Sequence, residues 1–197
     1  MFAIIDLEFT SWKGSFERDW KLSWEKREII QIGAVKFNSF NGSLRYKNIY
    51  VKPKINKKLS LYIQKLTKIN QNIINTQGKD FKFAIEEIDF FFKDVKYIFC
   101  NGLDKEIFIE NFIIHKTNKK KFLLKIFNLK PFLSKKLKID GEKIISSEMN
   151  KFFNFDNISK KHNGLDDAIN IFKCLKILND NGEFDLDKII FSNKIIK

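Results

Sequence analysis

Apolar residues fill nearly every place from position 2 to position 8 (FAIIDLE), the pattern of a strand covered on both faces. A polar stretch carrying three Trp follows, TSWKGSFERDWKLSWEKRE. Beyond it, IIQIGAVKF and SLRYKNIYVKP read as two more strands, with the Asn41-Gly42 pair between them as a hairpin signal. Helical spacing then takes over in LSLYIQKLTKINQNIINTQ. It strengthens over residues 80–94, where Phe81, Ala84, Ile85, Ile88, Phe91 and Phe92 share one side. KYIFC reads as a short buried strand and NGLDKEIFIENFIIHK as a turn leading into a helix. The pattern over residues 122–138 fits no single element, whereas helices are expected over 141–152 and from Leu165 to about Asn179. A hairpin followed by alternating helices and strands predicts a mixed sheet flanked by helices. The reading is one domain over residues 1–180, with a motif-free tail, 181–197, packed on it or extending it.

Two residues break the first apolar run. Strand alternation puts Asp6 and Glu8 on one face and Ile5, Leu7 and Phe9 on the other. Two unpaired carboxylates side by side in a buried strand are costly, and the usual outcomes are protonation of one of them or capture of a cation. Asp104, in IFCNGLDKEIF, stands just past a short strand at the start of a helix, where it also suits a cap or the positive helix terminus. In KHNGLDDAINIFKCLKIL, at about 100° per residue, Leu165, Ala168, Ile171, Phe172, Leu175 and Leu178 form one stripe. Asp167 lies at the border of that stripe and Asp166 points away, although both also suit a helix N-terminus. His162, five positions before Asp167, is a candidate proton acceptor because imidazole titrates near neutral pH. His115, beside a Lys run, reads as surface.

Charge narrows the partner. With 37 basic and 24 acidic residues the chain carries a formal +13, which attracts polyanions, nucleic acid foremost, although a Lys-rich surface also serves solubility. The clusters HKTNKKK, SKKLK and Lys160-Lys161 read as solvated loops or groove edges. Cys100 and Cys174 are too few for a disulfide framework or a Cys-based zinc site and fit a reducing cytoplasm. No apolar run approaches the roughly 18 residues of a membrane span, so a soluble, cytoplasmic protein with no membrane contact is expected.

The ordered set IIDLEFT, CNGLDKE and HNGLDDA resembles the three motifs of DnaQ-like 3′-to-5′ exonucleases that use four carboxylates and a His, the DEDDh group. REIIQIGAVKF and VKPKINKKLSLYIQKLTKINQ look like the second strand and the Leu-Thr-x-Ile-x-Gln segment of its ERI-like branch, which trims RNA 3′ ends. The resemblance runs from Phe2 to about Leu178. It implies an α/β, ribonuclease H-like fold, a mixed five-stranded sheet with helices on both sides. It places the catalytic set on Asp6, Glu8, Asp104, His162 and Asp167, with the four carboxylates as ligands of two Mg²⁺ or Mn²⁺ ions. The chain departs from the pattern at Lys68, where relatives often carry Gly, and in the long Trp-rich stretch after Thr10.

The expected reaction is hydrolysis of single-stranded 3′ ends, RNA favoured, to nucleoside 5′-monophosphates, with His162 accepting a proton from water. Phe9, Thr10, Leu66 and Thr67 are candidates to hold the last nucleotide, although Phe9 and Leu66 also suit the core. Trp12, Trp20 and Trp24 suit either base stacking or packing of their loop. Two alternatives stand beside this reading: a DNA exonuclease of proofreading type, and a non-catalytic nucleic-acid-binding protein on the same fold. No protein partner is legible.

Overall fold

A computed structural model describes residues 1–156 and 162–193. The Lys160-Lys161 pair and the end of the 181–197 tail lie outside the described residues. Five strands form one mixed sheet in the order β3-β2-β1-β4-β5. They are β1 (Phe2–Phe9), β2 (Ile29–Phe37), β3 (Arg45–Tyr50), β4 (Tyr97–Cys100) and β5 (Ile126–Asn128). β1 and β2 pair antiparallel, as do β2 and β3, while β4 lies parallel to both β1 and β5. β1 is thus central, which is why its side chains are apolar in both directions.

Each face of the sheet has its own core. Ala3, Ile5, Leu7, Ile32 and Ala34 pack against α3 (Phe81–Phe91) and α4 (Asp104–Ile114) through residues such as Phe81, Ile85, Ile88, Phe108 and Phe112. On the other face Ile4, Val35, Phe37 and Phe99 meet Ala168, Ile171, Phe172 and Leu175 of α6 (Gly164–Asp180). Burying each of these large side chains stabilises the fold by about 1.5–3 kcal/mol relative to exposure. Among the described residues no helix is long and apolar enough to cross a membrane.

Several local expectations resolve differently. The helical stretch after Leu59 is split into α1 (Leu61–Thr67) and α2 (Gln71–Gln77), because Lys68 turns left-handed at φ 63° and the Asn70 side chain caps a new helix on Ile73 N. The segment over 122–138 contains a 3-10 turn (Lys121–Lys125), β5 and α5 (Lys130–Leu137). The helix expected over 141–152 is instead two 3-10 segments, Gly141–Lys143 and Ser146–Lys151. Between them Ile144 and Ile145 are extended, with Ile144 buried in the core and its carbonyl taken by the Asn101 amide at 3.0 Å rather than by a helical N–H.

The tail forms α7 (Leu186–Ser192), started by an Asp185 cap on Lys188 N and anchored by the buried Ile189. Asn193 exchanges two hydrogen bonds with the Asn128 backbone, at 2.7 and 2.9 Å, and so occupies free groups of the edge strand β5. His115 is not a free surface side chain. It is half-buried and stacks on Phe81 with ring centroids 4.4 Å apart, and that burial holds its pKa below the usual imidazole value.

Candidate active site

Asp6 and Glu8 occupy the last turns of the pleat of β1, on the face covered by α6. Their partners across the ladder are Gly33 and Gln31. Those two residues set how α6 arrives. Gly33 and Gly164 are in such close apposition that a Cβ on Gly33 would lie 2.0 Å from the Gly164 carbonyl carbon. The buried Gln31 accepts a hydrogen bond from Gly164 N at 2.9 Å and donates to Asn48 Oδ1 at 2.9 Å and Asn163 Oδ1 at 3.3 Å. Asn163 in turn accepts from Leu165 N and Asp166 N at the head of α6. The first turn of the helix is therefore seated directly on β2.

This docking carries Asp167 and His162 to Glu8. One ligand atom of each of the three residues lies within 4.8 Å of those of the other two. His162 holds φ 59°, the left-handed conformation that a residue other than glycine rarely adopts. Asp167 is 3% exposed, while Asp166 is only half-buried. From the other side of β1, the buried Asp104 accepts a hydrogen bond from Leu7 N at 3.0 Å, so its carboxylate is tied to the backbone between Asp6 and Glu8. The five residues named from the sequence thus converge from β1, α4, the residue before the α6 cap, and α6.

The electrostatics are those of crowded carboxylates. Burial raises the pKa of Asp6 well above the usual value, and the charges of Asp167, Asp104 and Glu8 add to it. Glu8 is likewise raised well above its usual value by burial, then by Asp167 and Asp104. Burial lifts Asp104 to about 6 and Asp167 to about 7, the latter with help from Asp166. Asp167 Oδ1 is buried with no hydrogen-bond partner. An orphaned carboxylate oxygen beside further hard oxygen donors and an imidazole is a donor set suited to a divalent cation.

The residues expected to hold the last nucleotide divide. Phe9 lines a cleft of about 330 Å³ together with Asp6 and Asp104, and its ring also packs against the α3–α4 core and Trp20. Thr10 is buried, its hydroxyl donating to Lys26 O and accepting from Glu28 N at 2.9 Å. Thr67 is buried as well, donating to Ile63 O at 2.8 Å and accepting from Ile69 N at 3.1 Å. Leu66 packs on the small core of Ile30, Leu59, Ile63, Ile69 and Ile74. Both threonine hydroxyls thus hold the fold. Of the three Trp, Trp12 and Trp24 pack edge to face at 4.8 Å, while Trp20 lines the cleft.

Sequence reasoning missed Gln31, Gly33, Gly164, Asn163 and Glu28. Glu28 is fully buried and accepts from the backbone N–H groups of Lys54, Ile55 and Asn56 at 2.5, 2.8 and 2.6 Å, which fixes the loop after β3. A polar Gln and a Gly within the apolar first six residues of IIQIGAVKF were the available signal. Asn163 before the helix is a recognisable N-cap.

The mixed five-stranded sheet flanked by helices, with four acids and a His gathered at its central strand, has the ribonuclease H-like architecture. The profile of the RNase T exonuclease family matches residues 3–175, and the chain belongs to that exonuclease family. No curated protein sequence matches it. Among solved structures, the nuclease domain of 3′hExo, a DEDDh family member bound to rAMP, is 21% identical with a TM-score of 0.80, covering 93% of each chain. A 3′-exonuclease in a structure of 3′-end specific recognition of histone mRNA stem-loop is 20% identical, TM-score 0.80, covering 93% of this chain and 64% of that one. Cell-death related nuclease 4 is 22% identical, TM-score 0.74, covering 92% and 64%. The chain thus spans less than two thirds of the length of the last two.

Proposed function

We propose that this chain is a metal-dependent 3′-to-5′ exonuclease of the ERI-like DEDDh branch that removes nucleoside 5′-monophosphates from single-stranded RNA ends. The observation that carries the reading is the convergence of Glu8, His162 and Asp167 within 4.8 Å of one another, with Asp6 and Asp104 on the same stretch of β1. The ERI-like assignment rests on the Leu66-Thr67 to Gln71 segment, and the RNA preference on the rAMP and histone mRNA named for the similar structures.

Asp6, Glu8, Asp104 and Asp167 would hold two divalent ions, Mg²⁺ or Mn²⁺, which supply charge neutralisation at the phosphate and Lewis acidity toward water. Bound cations would favour the ionised form of these carboxylates, because a nearby positive charge lowers the raised pKa values of the free site. His162 accepts the proton of the attacking water while Asp104, tied to Leu7 N, keeps its carboxylate fixed at the strand. Asn163 and Gln31 hold the helix head that presents Asp167. The buried thiols of Cys100 and Cys174 suit a reducing compartment such as the cytoplasm.

The test is a time course on 5′-labelled single-stranded RNA and the matching DNA with Mg²⁺, Mn²⁺ or EDTA, beside the Asp6→Asn variant. A descending ladder that requires metal and disappears in the variant is expected, faster on RNA. A faster DNA ladder moves the assignment to a DNA exonuclease. Intact substrate with a retained gel shift overturns catalysis in favour of binding alone.

A further inference from the structure

We propose that Phe16, backed by Trp20, is a stacking platform for a nucleobase of the substrate next to the catalytic carboxylates. The inference deepens the exonuclease reading and rests on it. The cleft of about 330 Å³ that includes Asp6 and Asp104 is walled by Phe9, Phe16 and Trp20 and bordered by Lys130. That volume is at the scale of a small-ligand site. Phe16 is 70% exposed, a large apolar ring left in water at the mouth of a polar site.

The ring is displayed by a built loop. Thr10 N donates to Glu28 O at 2.8 Å and Glu28 N to Thr10 Oγ1 at 2.9 Å, which closes the loop at its base. Inside it the buried Glu25 accepts from Ser15 Oγ at 2.8 Å and from Arg18 Nε at 3.0 Å. Trp20 is fixed in its turn. Its indole N–H donates to Thr10 O at 3.2 Å, its ring meets Phe9 at 5.6 Å, and the Arg27 guanidinium sits 5.5 Å from its centroid. Arg27 itself is held by Glu110. Phe16 and Trp20 stand nearly perpendicular with centroids 6.3 Å apart, and Phe16 lines the cleft while remaining largely open to solvent. Every nucleobase has a π-face, so an aromatic platform of this kind binds single strands with little regard to sequence, and Lys130 adds charge for the adjoining phosphate.

The experiment is a fluorescence anisotropy titration of a 5′-labelled single-stranded oligonucleotide in EDTA with the wild-type protein, Phe16→Ala and Phe16→Tyr, followed by cleavage kinetics with Mg²⁺. Phe16→Ala should weaken binding and raise KM about tenfold, with kcat within about twofold and an unchanged melting temperature. Phe16→Tyr should restore wild-type values, and an oligonucleotide abasic at its last two positions should bind all three proteins alike. Equal affinity and KM for wild type and Phe16→Ala overturn the platform while leaving the exonuclease reading intact. Phe16-sensitive binding by a wild-type protein that cleaves nothing supports the platform and overturns the exonuclease reading.

Discussion

Gly33 of β2 and Gly164 of α6 are in backbone contact, and a Cβ built on Gly33 would fall 2.0 Å from the Gly164 carbonyl carbon and 2.2 Å from Leu165 N. No side chain stands between strand and helix at this point. Because Asp167 lies one turn along the helix from Gly164, its distance from Glu8 is set by this contact.

Gly33→Ala is therefore expected to push α6 off the sheet. The new methyl meets backbone atoms that cannot rotate away, so the loss is about 3 kcal/mol, or roughly 6–12 °C in Tm for a domain of this size. Activity should fall with it. Gly141→Ala, whose Cβ would meet nothing closer than 3.6 Å, is the control and should melt as the wild type does. Thermal denaturation of the two variants side by side decides the matter.

Gln31, fully buried, positions the same helix head. Gln31→Leu keeps the side-chain volume but strips the acceptor from Gly164 N and the donor from Asn163 Oδ1. Losing an outer partner of this kind typically weakens metal affinity about 10–100-fold. Mn²⁺ titration by calorimetry should show that drop, and an unchanged dissociation constant would remove Gln31 from the machinery.

Stability without metal should depend on pH in an unusual direction. Folding raises Asp104 to about 6 and Asp167 to about 7, so between their unfolded values near 4 and these folded values the native chain binds more protons than the unfolded one. Stability then falls as pH rises through that window. From pH 6 to pH 8 Asp167 alone accounts for about 1 kcal/mol, a drop of about 3 °C in Tm. Melting curves in EDTA should show it, Asp167→Asn should flatten it, and Mg²⁺ or Mn²⁺ should raise Tm more at pH 8 than at pH 6. A Tm in EDTA that rises with pH over this range contradicts the geometry.

Lys68 ends α1 in the left-handed conformation, at φ 63° and ψ 8°. A side chain there costs about 1 kcal/mol relative to glycine. Lys68→Gly should raise Tm by about 2 °C and Lys68→Ala should not, a difference that differential scanning calorimetry resolves.

The period-2 alternation of FAIIDLEF sufficed to put Asp6 and Glu8 on one face, and the helical wheel of the last long helix separated Asp167 from Asp166, because both are properties of a single element. The order of elements from β1 to α4 was legible for the same reason, whereas β5, α5 and α7 carried no pattern that marked them. Where a local pattern met competition from distant partners, it misled. Ile144 left a predicted helix because Asn101 takes its carbonyl and the core takes its side chain. The hydroxyls of Thr10 and Thr67, which the sequence offered as substrate contacts, also serve internal hydrogen bonds with Lys26, Glu28, Ile63 and Ile69 that no local pattern marks.

What the chain alone determined, then, was which residues are chemically able to act and which face of its own element each occupies. Only the tertiary structure decided that they meet. Gln31 reaches Gly164 across 133 positions of sequence and Leu7 N reaches Asp104 across 97. Contacts of that separation leave no periodic trace, because they depend on the register of β1 against β2 and on two glycines thin enough to let a helix rest on a strand.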